Sequence, residues 1–172
     1  AQIIDLLLPV GSAHADVKIC QALEQRYEQI ERRATTLEVN AMLFSAAETG
    51  CEPLAKTLLD AGASLEARDG RGFNPLARAA KSGQKEIVAL FLDRGAQIDA
   101  RSLEGATALY EAAETGRLPI VRELVDRGAN ISLAGRSGIT PLAAAAYMGS
   151  EPIVELLIEK GVITLAELQE KA

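Results

Sequence analysis

Apolar residues along this chain fall into two kinds of cluster that alternate. One is short and alanine-rich: Leu76 with Ala79-Ala80, Leu109 with Ala112-Ala113, Leu142 with Ala145-Ala146. The other sets Ile87-Val88 before Phe91-Leu92, Ile120-Val121 before Leu124-Val125, and Ile153-Val154 before Leu157-Ile158. Spacings of three and four place each set on one helical face. Both kinds return after 33 residues, and Leu43 with Ala46-Ala47 carries the first kind one period toward the amino end. The pattern predicts pairs of helices, the first of each pair about eight residues long.

Glycines keep the same period. Gly50, Gly83, Gly116 and Gly149 follow the alanine-rich helices, Gly62, Gly95, Gly128 and Gly161 follow the second helices, and Gly72, Gly105 and Gly138 punctuate the connectors. A period of 33 shared by independent positions is the signature of a solenoid. Asn74, Thr107 and Thr140 stand where a side chain caps the first helix, with Pro75 and Pro141 at its first turn. Pro53, Pro119 and Pro152 open three of the second helices, and Glu86 opens the other. Connectors such as "QIDARSLEGAT", with Gly105 at the tip, are expected to extend sideways as β-turn fingers.

The unit resembles the ankyrin repeat. The matching stretches are "GFNPLARAAKSGQKEIVALFLDRGA", "GATALYEAAETGRLPIVRELVDRGA", "GITPLAAAAYMGSEPIVELLIEKGV" and the weaker "VNAMLFSAAETGCEPLAKTLLDAGA". The resemblance implies an all-α solenoid of stacked helix-turn-helix units with β-turn fingers and terminal capping helices. Four repeats would span 37–68, 69–101, 102–134 and 135–163, between an amino-terminal cap or degenerate repeat at 1–36 and a carboxyl-terminal capping helix at 164–172. The family's histidine after Pro-Leu is replaced here by Phe44, Ala77, Tyr110 and Ala143. Packing is therefore expected to hold the connectors. Val39 stands where the first repeat should have its turn glycine, which suits an end unit.

The ends read less regularly. "IIDLLL" at residues 3–8 resembles the end of a second helix. Residues 16–33 carry Ile19, Cys20, Leu23, Tyr27 and Ile30 on one stripe, an amphipathic helix suited to covering the first repeat. Docking a partner or a second copy of the chain is its alternative role. At the other end Thr164 and Glu167 form a capping-box pair for a short helix whose Leu165 and Leu168 would cover the last repeat.

Composition narrows the function. The net charge is -6, from 24 acidic and 18 basic residues, which gives no footprint for nucleic acid or anionic lipid. Aromatic residues are 3% of the chain, so the core must be built of Leu, Ile, Val and Ala. Two cysteines are too few for a disulfide framework. Cys20 and Cys51 are expected to be reduced and partly buried, and a bridge between them would require an exported protein. A cytoplasmic location is the expectation, with an exported form left open. The single histidine, His14, and the absence of HExxH, CxxC, GxSxG or a phosphate-holding glycine loop leave no catalytic kit, no metal site and no cofactor site.

Recognition of a protein or extended peptide is what remains. In the ankyrin family binding falls on the fingers and the exposed face of the first helices. Carried onto this chain, the finger positions are Arg68, Arg71 and Phe73, then Arg101, Leu103 and Glu104, then Arg136 and Ile139. The helix positions are Ser45, Glu48 and Thr49, then Arg78 and Lys81, then Tyr110, Glu111 and Glu114, then Tyr147 and Met148. Tyr110, between Arg78 and Tyr147, is the expected centre. Each has a structural alternative: Phe73 and Ile139 folded down onto the next finger, Arg68 and Arg101 paired with Asp69 or Glu104, Tyr147 and Met148 against the carboxyl-terminal cap. The competing function is a structural or regulatory segment of a larger protein, packed on a neighbouring domain.

Overall fold

The computed structural model describes residues 17–135 and 137–170. Residues 3–8 and His14 therefore lie outside the described residues. Helix α1 covers Val17–Ile30 and runs into a short 3-10 turn, Glu31–Arg33. Four helix pairs follow: α2 (Thr36–Thr49) with α3 (Glu52–Asp60), α4 (Pro75–Ser82) with α5 (Lys85–Asp93), α6 (Ala108–Glu114) with α7 (Leu118–Asp126), and α8 (Pro141–Tyr147) with α9 (Glu151–Glu170). First helices stack in one row, α2 on α4 on α6 on α8, and second helices in another, α3 on α5 on α7 on α9.

The caps form as the residue types require. Asn74 Oδ1 accepts from Ala77 N–H at 2.9 Å, while Thr107 Oγ1 and Thr140 Oγ1 accept from Tyr110 and Ala143 N–H, each at 3.2 Å. Thr35 begins α2 with a full capping box to Glu38. At the corner between α4 and α5, Gly83 takes φ 84°, and a Cβ there would meet the Arg117 guanidinium carbon at 3.0 Å. Gly116 and Gly149 occupy the same corner of their own pairs, with φ 71° and 72°.

The core lies between the two rows and consists of aliphatic side chains. Leu43, Leu76 and Leu109 are fully buried from the first row, and Leu58, Val88, Phe91, Val121 and Leu124 from the second. Truncating one such leucine to alanine costs about 2–5 kcal/mol. The paired alanines Ala79-Ala80 and Ala112-Ala113 are also fully buried, which lets successive first helices approach closely. Surface ion pairs repeat on the second row: Arg94–Asp60 at 2.9 Å, Arg127–Asp93 at 2.7 Å and Lys160–Asp126 at 3.1 Å. Each is exposed and contributes roughly 0–1 kcal/mol.

Four expectations need correcting. No strand occurs among the described residues, so the connectors are not β-turn fingers. Their amide groups are satisfied locally: Asp69 Oδ1 accepts from both Arg71 and Phe73 N–H, and Ser102 Oγ accepts from Ala106 N–H. Of the described connectors, one backbone hydrogen bond joins two, Leu103 N–H to Arg71 O at 3.0 Å, and a single bond is not a ladder. Second, α9 does not stop at Gly161 but continues to Glu170, so residues 164–170 prolong it rather than starting a new helix at Thr164. Gly161 does not take the positive φ of Gly62, Gly95 and Gly128.

Third, Cys20 and Cys51 are joined in a disulfide. The stripe of α1 sets Cys20 against the start of α3, where Cys51 is fully buried and the Cα atoms lie 5.4 Å apart. Cysteine spacing alone carried no sign of that approach. Fourth, the stripe is narrower than expected. Cys20 and Tyr27 are buried and Leu23 and Ile30 pack on the core, but Ile19 is exposed. Helix α1 thus covers the amino-terminal end of the stack, against α2 and α3.

Candidate functional site

The row of first helices and the connectors leading into them share one side of the stack. There a groove of about 490 Å³ opens between α4 and α6. It brings together Arg71, Phe73, Lys81, Glu104, Tyr110, Glu111 and Glu114, which the sequence selects from two different repeats. Ala106, Gly135 and Ser137 complete the lining.

Phe73 does not project from a turn tip. It is folded down and buried, with the Arg78 guanidinium 5.6 Å and Lys81 Nζ 5.8 Å from its ring centroid. Lys81 reaches on to Glu111, Nζ to Oε2 at 2.9 Å. Glu111 is buried, and its Oε2 has this ion pair but no hydrogen bond. An aromatic ring, a lysine and a buried carboxylate therefore tie α4 to α6. Removing one member of a buried ion pair strands the other and costs about 3–5 kcal/mol when both are fully desolvated. Lys81 is partly exposed, which reduces that figure here.

Tyr110 stands beside this stack, half-buried. Its hydroxyl donates to Glu114 Oε1 at 3.4 Å, a long and weak bond. Burial raises the phenol above its usual pKa, and the carboxylates of Glu114, Glu111 and Glu104 raise it further. The hydroxyl therefore remains a neutral donor at physiological pH.

Other sequence-selected residues have structural employment. Arg78 is held by Asp69, Nε to Oδ2 at 2.5 Å, and by Glu48 at 3.4 Å. Burial pushes the Asp69 carboxyl up, but the Arg78 guanidinium and the N–H groups of Arg71 and Phe73 outweigh it and hold the pKa below the usual range. Arg68 Nη1 donates to the carbonyls of Gly72 at 3.2 Å and Arg101 at 3.3 Å. Arg101 donates to Gly105 O at 3.1 Å and Ala134 O at 2.6 Å. Neither arginine pairs with Asp69 or Glu104 as the alternative reading had it; Arg68 is near Glu66 instead, at 3.7 Å. These arginines hold successive connectors together, which packing alone was expected to do.

Leu103, Ile139, Tyr147 and Met148 are exposed, Tyr147 to 91%. Met148 and Glu114 border a second hollow with Ser150, while Arg68 and Arg78 border a third with Leu37 and Phe44. Arg136 lies outside the described residues. The groove between α4 and α6 thus gathers part of the selected set around Tyr110, while Arg78 and Tyr147 are not in its lining. Phe44 was passed over as a contact, although it occupies the repeat position of Tyr110; the 33-residue register was the signal for it.

Among the described residues no group of three or more His, Cys, Asp or Glu converges to hold a metal ion. No described helix is long and apolar enough to cross a membrane. In a comparison with protein families, the model for ankyrin repeats (3 copies) matches residues 2–102 and 99–167. No curated protein matches the chain.

Proposed function

Since the chain belongs to the ankyrin-repeat family, a family of non-catalytic protein-interaction scaffolds, we propose that it binds a protein or an extended peptide along the groove between α4 and α6. The observation that carries this reading is the convergence of Arg71, Lys81, Glu104, Tyr110 and Glu114 on one groove of about 490 Å³. Exposed Leu103, Ile139, Tyr147 and Met148 extend the surface toward the last repeat. Tyrosine and arginine are favoured anchors of protein interfaces, and mixed charge steers and selects partners more than it adds affinity.

In this reading the unit count is four, at 37–68, 69–101, 102–134 and 135–163, on a 33-residue period. Residues 1–36 and 164–172 act as caps. The four helix pairs and the 33-residue spacing of the caps Asn74, Thr107 and Thr140 support it, although Thr35 stands 39 residues before Asn74. Of the two locations left open by the sequence, the Cys20–Cys51 bridge favours an exported form, because such bonds persist in oxidising compartments. A second reading, an array packed on a neighbouring domain, draws on the exposed apolar residues Tyr147, Met148 and Ile158 of the last repeat.

Affinity capture from the native source tests the main reading. The protein is compared with a Glu104→Ala/Tyr110→Ala variant and with Arg94→Ala on the opposite row. Loss of one partner by the first variant alone is expected. Equal recovery of every partner by all three forms would refute the surface assignment.

A further inference from the structure

The groove is electrically uneven. At its floor the charge of Lys81 is neutralised by Glu111 at 2.9 Å, and the lysine is pinned over Phe73. At the Tyr110 end the acids Glu104 and Glu114, the first exposed and the second half-buried, share the groove with one exposed cation, Arg71, whose carbonyl accepts from Leu103 N–H beside Glu104. The acids outnumber it two to one. The contact of Glu114 Oε1 with the phenol is 3.4 Å, far longer than a strong O–H···O⁻ bond, so the carboxylate retains acceptor capacity. Deeper in, the buried Glu111 lines the same groove, its Oε2 already ion-paired to Lys81 at 2.9 Å. Tyr110 is half-buried, close enough to Glu114, Glu111 and Glu104 to feel all three carboxylates.

We infer that the Tyr110 end of the groove receives one lysine or arginine side chain of a bound peptide, its cation over the phenol ring and between the carboxylates of Glu104 and Glu114. The inference rests on the groove being the partner surface and adds the chemistry of the occupant. A cation there gains the ring quadrupole and two carboxylates at once. An acidic or phosphorylated side chain at that end would meet two carboxylates against the single cation of Arg71. The volume, about 490 Å³, accommodates a long side chain together with a few residues of backbone. Raising of the phenol pKa by Glu114, Glu111 and Glu104, after burial, agrees with a negative field at the ring.

The test selects random twelve-residue peptides displayed on phage against the full chain. Recovered peptides are synthesised with and without their basic residue, lysine replaced by norleucine and arginine by citrulline. They are titrated against the wild type, a charge-removing Glu104→Gln/Glu114→Gln variant and Tyr110→Ala, all checked for folding by thermal melt. The expected result is a required basic residue whose neutral replacement weakens binding about tenfold, with the same loss in the Gln/Gln variant and no further loss when the two changes are combined. Peptides that tolerate the neutral replacement, or bind the Gln/Gln variant equally, overturn the inference. If those peptides are still lost with Tyr110→Ala, the groove remains the partner surface and only its cation site falls. If no peptide is recovered, or none depends on Tyr110, both fall.

Discussion

Arg101 donates from Nη2 to the carbonyl oxygen of Ala134 at 2.6 Å, spanning one repeat length of 33 residues. Arg68 makes the equivalent reach to Arg101 O at 3.3 Å. Each arginine also grips its own connector, at Gly105 or Gly72. A guanidinium fork can hold two carbonyls at once, and an ammonium holds them less well. Arg101→Ala is expected to cost about 1 kcal/mol, a modest sum because the side chain is exposed. Arg101→Lys should recover only part of it. Amide exchange should quicken around Gly105 and Ala134 and not in α3. Unchanged exchange in both connectors would show that packing holds them.

The disulfide between Cys20 and Cys51 closes a span of 31 residues. Chain-entropy arithmetic gives about 3–4 kcal/mol for a loop of that size. A Cys20→Ala/Cys51→Ala variant should lose stability on that scale in urea. The loss should be felt first in α1, which the bridge ties to the start of α3. A variant as stable as the wild type would mean that Tyr27 and the capping box of Thr35 already fix this end.

Gly72 takes φ 77°, and a Cβ built there would fall 2.8 Å from the backbone nitrogen of Leu103. Gly95 has φ 87° with nothing within 4 Å of its Cβ position. Both positions disfavour alanine by about 1 kcal/mol for the left-handed backbone alone. Gly72→Ala must also displace the Leu103 connector, so it should destabilise by about 2–3 kcal/mol. Equal melting temperatures for Gly72→Ala and Gly95→Ala would contradict the close approach of the two connectors.

Much of this was legible beforehand. Helix pairs, caps at Asn74, Thr107 and Thr140, and corner glycines at Gly83, Gly116 and Gly149 follow from local chemistry repeated at a fixed period. Local rules do not extend to contacts between repeats. Phe73 sits at a turn in the sequence, yet it is folded down into the core, with Arg78 and Lys81 over its ring. Asp69 enters the sequence reading only as a partner for Arg68 or Arg101, yet three other donors converge on it. The bridge depended on α1 folding back, and no spacing rule places that helix on the end of a stack. In the groove, Tyr110 was found because its position varies between copies. Ala106, Gly135 and Ser137 line it through small size and placement, which leave no chemical signal.

Asp69 also gives a pH prediction. Its carboxyl is held below the ordinary value of about 3.9 by Arg78 and two backbone amides, against the effect of burial. A lowered folded pKa contributes stability that is fully present above the unfolded pKa. That contribution is lost as pH falls from about 4 through the folded value. Asp69→Asn should cost about 1–3 kcal/mol at neutral pH and flatten the acid limb of the stability profile. A parallel acid limb in the variant would place the lost stability elsewhere.

The most direct test of the whole account is amide exchange of the full chain with and without a partner recovered by affinity capture. Protection is expected in the connectors around Arg71–Phe73 and Glu104–Ala106 and through α6 from Ala108 to Glu114. Protection confined to the second row, α3, α5 and α7, with the groove exchanging as in the free protein, would contradict it.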